Sequence, residues 1–183
     1  MNSLEQQIFS KAEALIPDKI SEKSFRADQK IFHQDDVFMD VLRIKKGFTK
    51  ASFLTSEGKE VTKWFAAEGQ IVASTLSLTL QAPAGFTLTA MEDTEFTYIR
   101  GFDLNALLEQ DHRFAILVAK YAFSIAAKKE KRELDFLTKT PQERLVEFQR
   151  ESSQLVGRLT QNELSKYLGI TPVALSRIKA RLR

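Results

Sequence analysis

The sequence predicts an α+β chain with a front of short strands, one long apolar helix and a helix-turn-helix at the C-terminal end. Three observations carry this reading. From Phe25 to Arg100, β-prone runs alternate with glycine-bearing turns. From Phe114 to Ala127 the chain is apolar nearly all round, interrupted only by Lys120 and Ser124. From Thr160 to Arg183, two capped helix starts lie on either side of Gly169.

Composition sets the bounds. The 183 residues, 43% apolar and 28% charged, are those of an ordinary soluble protein with room for a real core. There are no cysteines, which excludes disulfides, thiolate zinc sites and thiol redox sensing. With His33 and His112 as the only histidines, no metal site and no cofactor are expected. Neither histidine has a nucleophile or carboxylate constellation, there is no phosphate loop, and glycine is scarce, so the chain does not read as an enzyme. The N-terminus is amphipathic and charged, unlike a signal peptide, and no segment reaches the roughly 20 apolar residues of a membrane span. A bacterial, cytoplasmic protein with no membrane partner is expected. The charge is uneven: residues 1–112 carry 12 Lys+Arg against 17 Asp+Glu, net −5, and residues 113–183 carry 15 against 7, net +8. The back half is therefore the part that suits a polyanion.

Taken in order, residues 3–16 read as a helix with Leu4, Ile8, Ala12 and Leu15 on one face. Strands are expected at Val37–Met39, Val41–Ile44, Thr49–Leu54, Glu60–Phe65, Thr87–Ala90 and Glu95–Ile99. Turns at Lys46-Gly47, Ser56-Glu57-Gly58 and Ala67-Glu68-Gly69 separate them. A barrel, roll or sandwich would satisfy this pattern. Residues 74–81 fit either a strand or a helical turn. Phe102–Glu109 reads as a short helix and Asp111–Leu137 as a long one. A helix apolar on every side must be buried on more than one. Phe114, Leu117, Val118, Tyr121 and Ile125 follow a seam spacing that a second copy could fill, making a homodimer. The competing reading buries the helix within one chain. Lys128–Glu133 reads as a solvated stretch of the same helix. A domain boundary is placed near Thr138, giving units at 1–110, 111–137 and 138–183.

Thr140-Pro141-Gln142-Glu143 is a fresh helix start, with a threonine cap, proline at the first position and glutamate at the third. That helix is expected to run to about Leu155. Thr160 and Glu163 repeat the capping-box spacing. Gly169 sits where the chain must turn, and Thr171-Pro172 restarts a helix whose buried stripe is Leu175, Ile178 and Leu182. Small Ser165 lies where two crossing helices need close approach. The outward face of the second helix (Val173, Ser176, Arg177, Ala180) is left free for a DNA groove. Two readings compete: a bare αα-hairpin whose basic end merely suits a helix C-terminus, or a DNA reader. Two capped starts, the glycine and the run Arg177, Lys179, Arg181, Arg183 favour the second. An interaction module whose basic tail binds a protein is the alternative function.

These features in this order, with Thr160-Gln161-Asn162-Glu163-Leu164, Gly169-Ile170-Thr171 and Leu175-Ser176-Arg177-Ile178 as the most specific residues, resemble the cyclic-AMP receptor / fumarate-nitrate regulator (CRP/FNR) superfamily of bacterial transcription factors. The resemblance implies a jelly-roll domain of cyclic-nucleotide-binding type and a homodimer through the long helix. It implies recognition helices in successive major grooves of a near-palindromic double-stranded DNA site, with RNA polymerase as a further partner. It implies Arg177 as a base reader, Thr160, Gln161 and Thr171 at helix starts against phosphates, and Pro172, Val173 and Ser176 at recognition positions. Lys179, Arg181 and Arg183 would add non-specific attraction. Pro172 and Val173 depart from the polar readers of many relatives, and Val173 suits a thymine methyl. The chain stops at Arg183, before the β-wing that commonly follows. Nucleotide-binding relatives carry Gly-Glu, a short helix, then Arg-Ser or Arg-Thr, whereas here no Arg or Lys occurs between Lys63 and Arg100 and Gln70 replaces an acid. No tight binding of cyclic AMP or GMP is expected; a different small-molecule effector is left open. Trp64, Phe65 and Phe86 read as core.

Overall fold

The computed structural model describes residues 3–182; Arg183 of the basic run lies outside them. The chain opens with helix α1 (Leu4–Leu15), capped by the Ser3 hydroxyl, which accepts the Gln6 N–H at 3.2 Å. Ile8, Phe9 and Ala12 are buried, whereas Leu15, expected on the same face, is exposed in the last turn. Strands β1 (Ile20–Phe25), β2 (Lys30–Phe32), β3 (Val41–Lys46), β4 (Thr49–Leu54), β5 (Glu60–Ala66) and β6 (Ile71–Val72) follow. Helix α2 (Thr75–Leu80) and strands β7 (Thr87–Ala90) and β8 (Thr94–Ile99) complete the front. Two four-stranded antiparallel sheets result, in the orders β1-β8-β3-β6 and β2-β7-β4-β5. Leu42, Ile44, Val72 and Phe96 of one meet Ala51, Ala66, Leu88 and Phe32 of the other in a shared core. That is a jelly-roll.

Two expectations for the front are corrected, and one open reading is resolved. Val37–Met39 is not a strand: the Phe38 N–H is bonded to the Ser77 hydroxyl (3.2 Å), and its ring stacks on Phe32 at 4.4 Å between centroids. Residues 74–81 resolve as α2, because Ser74 caps it by accepting the Ser77 N–H at 3.2 Å. β1, β2 and β6 were not anticipated. β1 has Ser and Glu at its exposed positions, and one of its three half-buried residues is a lysine, Lys23.

Gly47 makes one turn possible. Its φ is +91°, and a Cβ there would lie 2.6 Å from Thr94 Oγ1 and 2.9 Å from the Asp93 carbonyl. Its N–H donates to Glu68 at 2.9 Å.

Helix α3 (Gly101–Gln110) leads into α4 (His112–Thr138), which starts where the Asp111 carboxylate accepts the Phe114 N–H at 2.6 Å. Here the dimer expectation needs correcting. Phe114 is fully buried against α1 and α3, and Leu117, Val118 and Tyr121 pack on the same cluster. Tyr121 donates to the Ile71 carbonyl at 3.5 Å, and Ile125 is half-buried over the jelly-roll. The face chosen for a second copy is thus occupied by the chain itself. The bare stripe lies two residues away, half a helical turn round: Ile116, Phe123 (76% exposed) and Leu137 (78%), with Ala119, Ala126 and Leu134 between. Ile116, Phe123 and Leu137 keep the seven-residue spacing of a coiled-coil seam.

The remaining helices are α5 (Pro141–Glu151), α6 (Ser153–Val156), α7 (Gln161–Leu168) and α8 (Pro172–Arg181). The single helix expected to about Leu155 breaks at Ser152, whose backbone turns to φ −127°, ψ 39°. Leu145, Phe148, Leu155, Leu164, Leu168 and Leu175 form a core that also takes in Phe48 and Ala67 of the jelly-roll. The C-terminal helices are therefore docked on the front rather than tethered beside it.

Candidate nucleic-acid interface

The helix-turn-helix is assembled by local chemistry. Thr160 Oγ1 accepts the Glu163 N–H at 3.2 Å, and the Glu163 carboxylate accepts the Thr160 N–H at 3.2 Å, so two orphan donors at the start of α7 are satisfied reciprocally. Gly169 ends α7 in the left-handed region (φ +71°), and the Ile170 N–H returns to the Ser165 carbonyl at 3.0 Å. Thr171 Oγ1 accepts the Ala174 N–H at 3.2 Å and opens α8 with Pro172 at its first position. Leu164, Leu168 and Leu175 are buried in one cluster, and Ser165 is 1% exposed, its hydroxyl donating to the Asn162 carbonyl at 2.8 Å. Leu182, assigned to the buried stripe, is exposed at the end.

On α8, Val173, Ser176, Arg177 and Ala180 recur at helical spacing and are exposed, with Thr171 and Pro172 bare at its start and Arg181 at its end. Lys179 is half-buried on the flank. Thr160 and Gln161 are exposed at the start of α7, a separate element.

The cations of this region fall into two groups, a division the sequence does not reveal. Arg158 makes paired bonds to the Glu68 carboxylate at 2.9 and 3.0 Å and reaches Glu92, and its guanidinium lies 4.6 Å from the Phe48 ring. The hydrogen bond to Glu68 chiefly holds Arg158 above its ordinary pKa. Lys166 of α7 pairs with Glu60 of β5. By contrast, Arg177, Lys179 and Arg181 have no ion pair or hydrogen bond from their side chains among the described residues. Cations facing the jelly-roll are neutralised, and those on α8 are not.

A second unforeseen group joins α4 to the helix-turn-helix. Arg132 was assigned to a solvated run, but its guanidinium lies 4.0 Å from the Tyr167 ring and 4.8 Å from Phe136. It donates to the Tyr167 carbonyl at 3.2 Å, and Arg144 of α5 donates to the Leu168 carbonyl at 3.1 Å. Two guanidinium groups thus cap the last turn of α7, where carbonyls and the helix dipole are both negative. Burial pushes Arg132 below the ordinary guanidinium value.

A cavity of about 430 Å³ runs between the jelly-roll and α4 and reaches this joint. Trp64, Gln70, Ser74, Phe86 and Tyr121 line its inner part. Trp64 and Phe86 are in edge contact at 5.5 Å and pack in the core, while also facing this space; Phe65 meets Tyr167 at 5.6 Å. The α2 segment supplies no cation. Lys63, Lys128 and Lys129 line the cavity from β5 and α4 instead, and burial together with Lys129 pushes Lys63 below its ordinary pKa. Among the described residues no cluster of His, Asp or Glu could hold a metal ion, and no helix is long and apolar enough to cross a membrane.

Residues 22–111 match the family model described as the cyclic nucleotide-binding domain. No curated protein sequence matches the chain. FixK2 from Bradyrhizobium japonicum is similar in structure, with 21% identity and a TM-score of 0.71 over 89% of this chain and 84% of its own. A CooA variant from Carboxydothermus hydrogenoformans has 17% identity and a TM-score of 0.72 over 90% and 77%. Thermus thermophilus catabolite activator protein has 19% identity and a TM-score of 0.59 over 94% and 82%. Residues 22–111 thus match the cyclic nucleotide-binding domain model, and the chain as a whole shares the fold of these three solved structures.

Proposed function

We propose that the chain is a dimeric, sequence-specific DNA-binding transcriptional regulator rather than an enzyme, working in the bacterial cytoplasm. One observation carries this: the exposed face of α8 holds unpaired cations, while the cations of the same unit that face the jelly-roll are matched to carboxylates. In this reading residues 1–110 form the effector-type unit, 111–137 the dimer helix and 138–183 the reading unit. Arg177 meets a base edge, Thr160, Gln161, Thr171, Lys179 and Arg181 approach phosphates, and Pro172, Val173 and Ser176 lie at the groove. Two copies join along Ile116, Phe123 and Leu137, placing two reading helices about 34 Å apart on a near-palindromic site. Contact with RNA polymerase belongs to the same reading.

The chain does not bind cyclic AMP or GMP tightly in this proposal, because α2 and its flanks offer no cation to a buried cyclic phosphate. Calorimetry giving micromolar affinity would overturn that part. The test of the whole is a gel shift with genomic fragments across a salt series, repeated with Arg177→Ala. Wild type is retained at low salt and released as salt rises, and the variant loses preference among fragments. Absence of retention at low salt would refute the DNA reading and leave a protein-binding tail.

A further inference from the structure

The α8 helix, Pro172 to Arg181, contains no carboxylate and no carboxamide. Bidentate readout of adenine uses Asn or Gln, and readout of the cytosine amine uses Asp or Glu. This helix has neither. Its bare side offers the Ser176 hydroxyl and the guanidinium groups of Arg177 and, a turn further on, Arg181, and its N-terminal half otherwise presents carbon: Val173, 61% exposed, with Pro172. Arginine matches the paired acceptors of guanine. The one major-groove feature that carbon matches is the pyrimidine C5-methyl group. Val173 is also well placed to present its methyls. It stands in the first turn, directly after the Thr171 cap and Pro172, which fix the backbone. A β-branched side chain in a helix is held largely to one rotamer, so little freedom is lost on contact.

We propose that Val173 is a specificity-determining residue that reads a C5-methyl group, so that each half-site carries a thymine about two base pairs from the guanine met by Arg177. The spacing follows from helix geometry: four residues rise about 6 Å, against about 3.4 Å per base pair. A second consequence is chemical. Thymine and 5-methylcytosine carry the methyl at the same groove position, and valine bonds to neither exocyclic group. At that one position 5-methylcytosine replaces thymine, whereas cytosine and uracil do not.

Because this rests on the DNA-binding role proposed above, the experiment separates the two. Duplexes retained by the full chain from a random library are sequenced, and the enriched duplex is resynthesised with deoxyuridine, cytosine or 5-methylcytosine at each thymine. At one thymine per half-site, deoxyuridine weakens binding about fourfold, and about fifteenfold when both half-sites are changed; 5-methylcytosine restores it. Val173→Ala, at an exposed position in a good helix former, keeps the fold by circular dichroism and binds thymine and uracil duplexes alike. Enrichment with no thymine sensitive to loss of its methyl would overturn the methyl readout and leave the DNA reading standing. A sensitivity unchanged in Val173→Ala would overturn the assignment to this residue. Failure to enrich any duplex would overturn both.

Discussion

Glu60→Gln tests how the reading unit is held to the jelly-roll. The Glu60 carboxylate, at the start of β5, accepts from Lys166 of α7 and from Lys50 of β4, the latter at 3.0 Å. Burial pushes the carboxyl up, but the bonds from Lys166 and Lys50 outweigh it and hold the pKa at about 2, against an ordinary 4.5. That gap corresponds to an upper bound of roughly 3 kcal/mol. The Glu60 and Lys166 side chains are 30% and 31% exposed, and solvent screening brings the contribution to about 1–2 kcal/mol. Since the folded pKa lies below the unfolded one, the contribution is full above 4.5 and fades as pH falls towards 2. The assay is urea unfolding of wild type and variant at about pH 7 and about pH 3, followed by helical circular dichroism and by fluorescence of Trp64, the single tryptophan. Expected is a variant less stable by about 1–2 kcal/mol at neutral pH, with the difference shrinking in acid. Trp64 lies on β5 itself, so loosened docking also separates its transition from that of the helices. No difference at neutral pH, or the same difference at both, would refute the ionic account.

The two faces of α4 give opposite outcomes on charge insertion. Phe123→Glu yields a folded monomer in sedimentation, whereas Tyr121→Glu destabilises the chain itself by about 3 kcal/mol, because it places a carboxylate among Phe114, Leu117 and the α1 cluster. An unchanged assembly in Phe123→Glu would move the seam elsewhere. Gly169→Ala strains a backbone at φ +71° and brings a methyl to 3.2 Å from the Phe136 ring. A loss of about 1–2 kcal/mol in urea unfolding is expected, and unaltered stability would contradict it.

The helix-turn-helix was legible because its determinants are local. Thr160 with Glu163, Gly169, and Thr171 with Pro172 each act within three or four residues, and their hydrogen bonds form as that spacing requires. The long helix was legible in extent but not in orientation. A helix apolar all round gives no phase, so the aromatic-rich face assigned to a second copy turned out to be the one that the chain covers. β1 was missed because its exposed positions are polar and its half-buried ones too few. The docking was beyond reach for a different reason. Arg158 and Glu68 are 90 residues apart and Lys166 and Glu60 are 106 apart, and no periodicity records a partner at that distance. The same holds for Lys63, Lys128 and Lys129, which supply charge to a cavity whose own short helix has none.

The two arginine caps on α7 have a mechanical consequence. One guanidinium is anchored on the long helix and the other on the helix after it, yet both grip successive carbonyls of the same turn. Swinging the C-terminal third about Thr138 would strip at least one of those carbonyls of its partner. Reorientation is cheaper if the final turns of α4 travel with the reading unit as one piece. The flexing point then falls upstream of Arg132, in the stretch of lysines that lines the cavity.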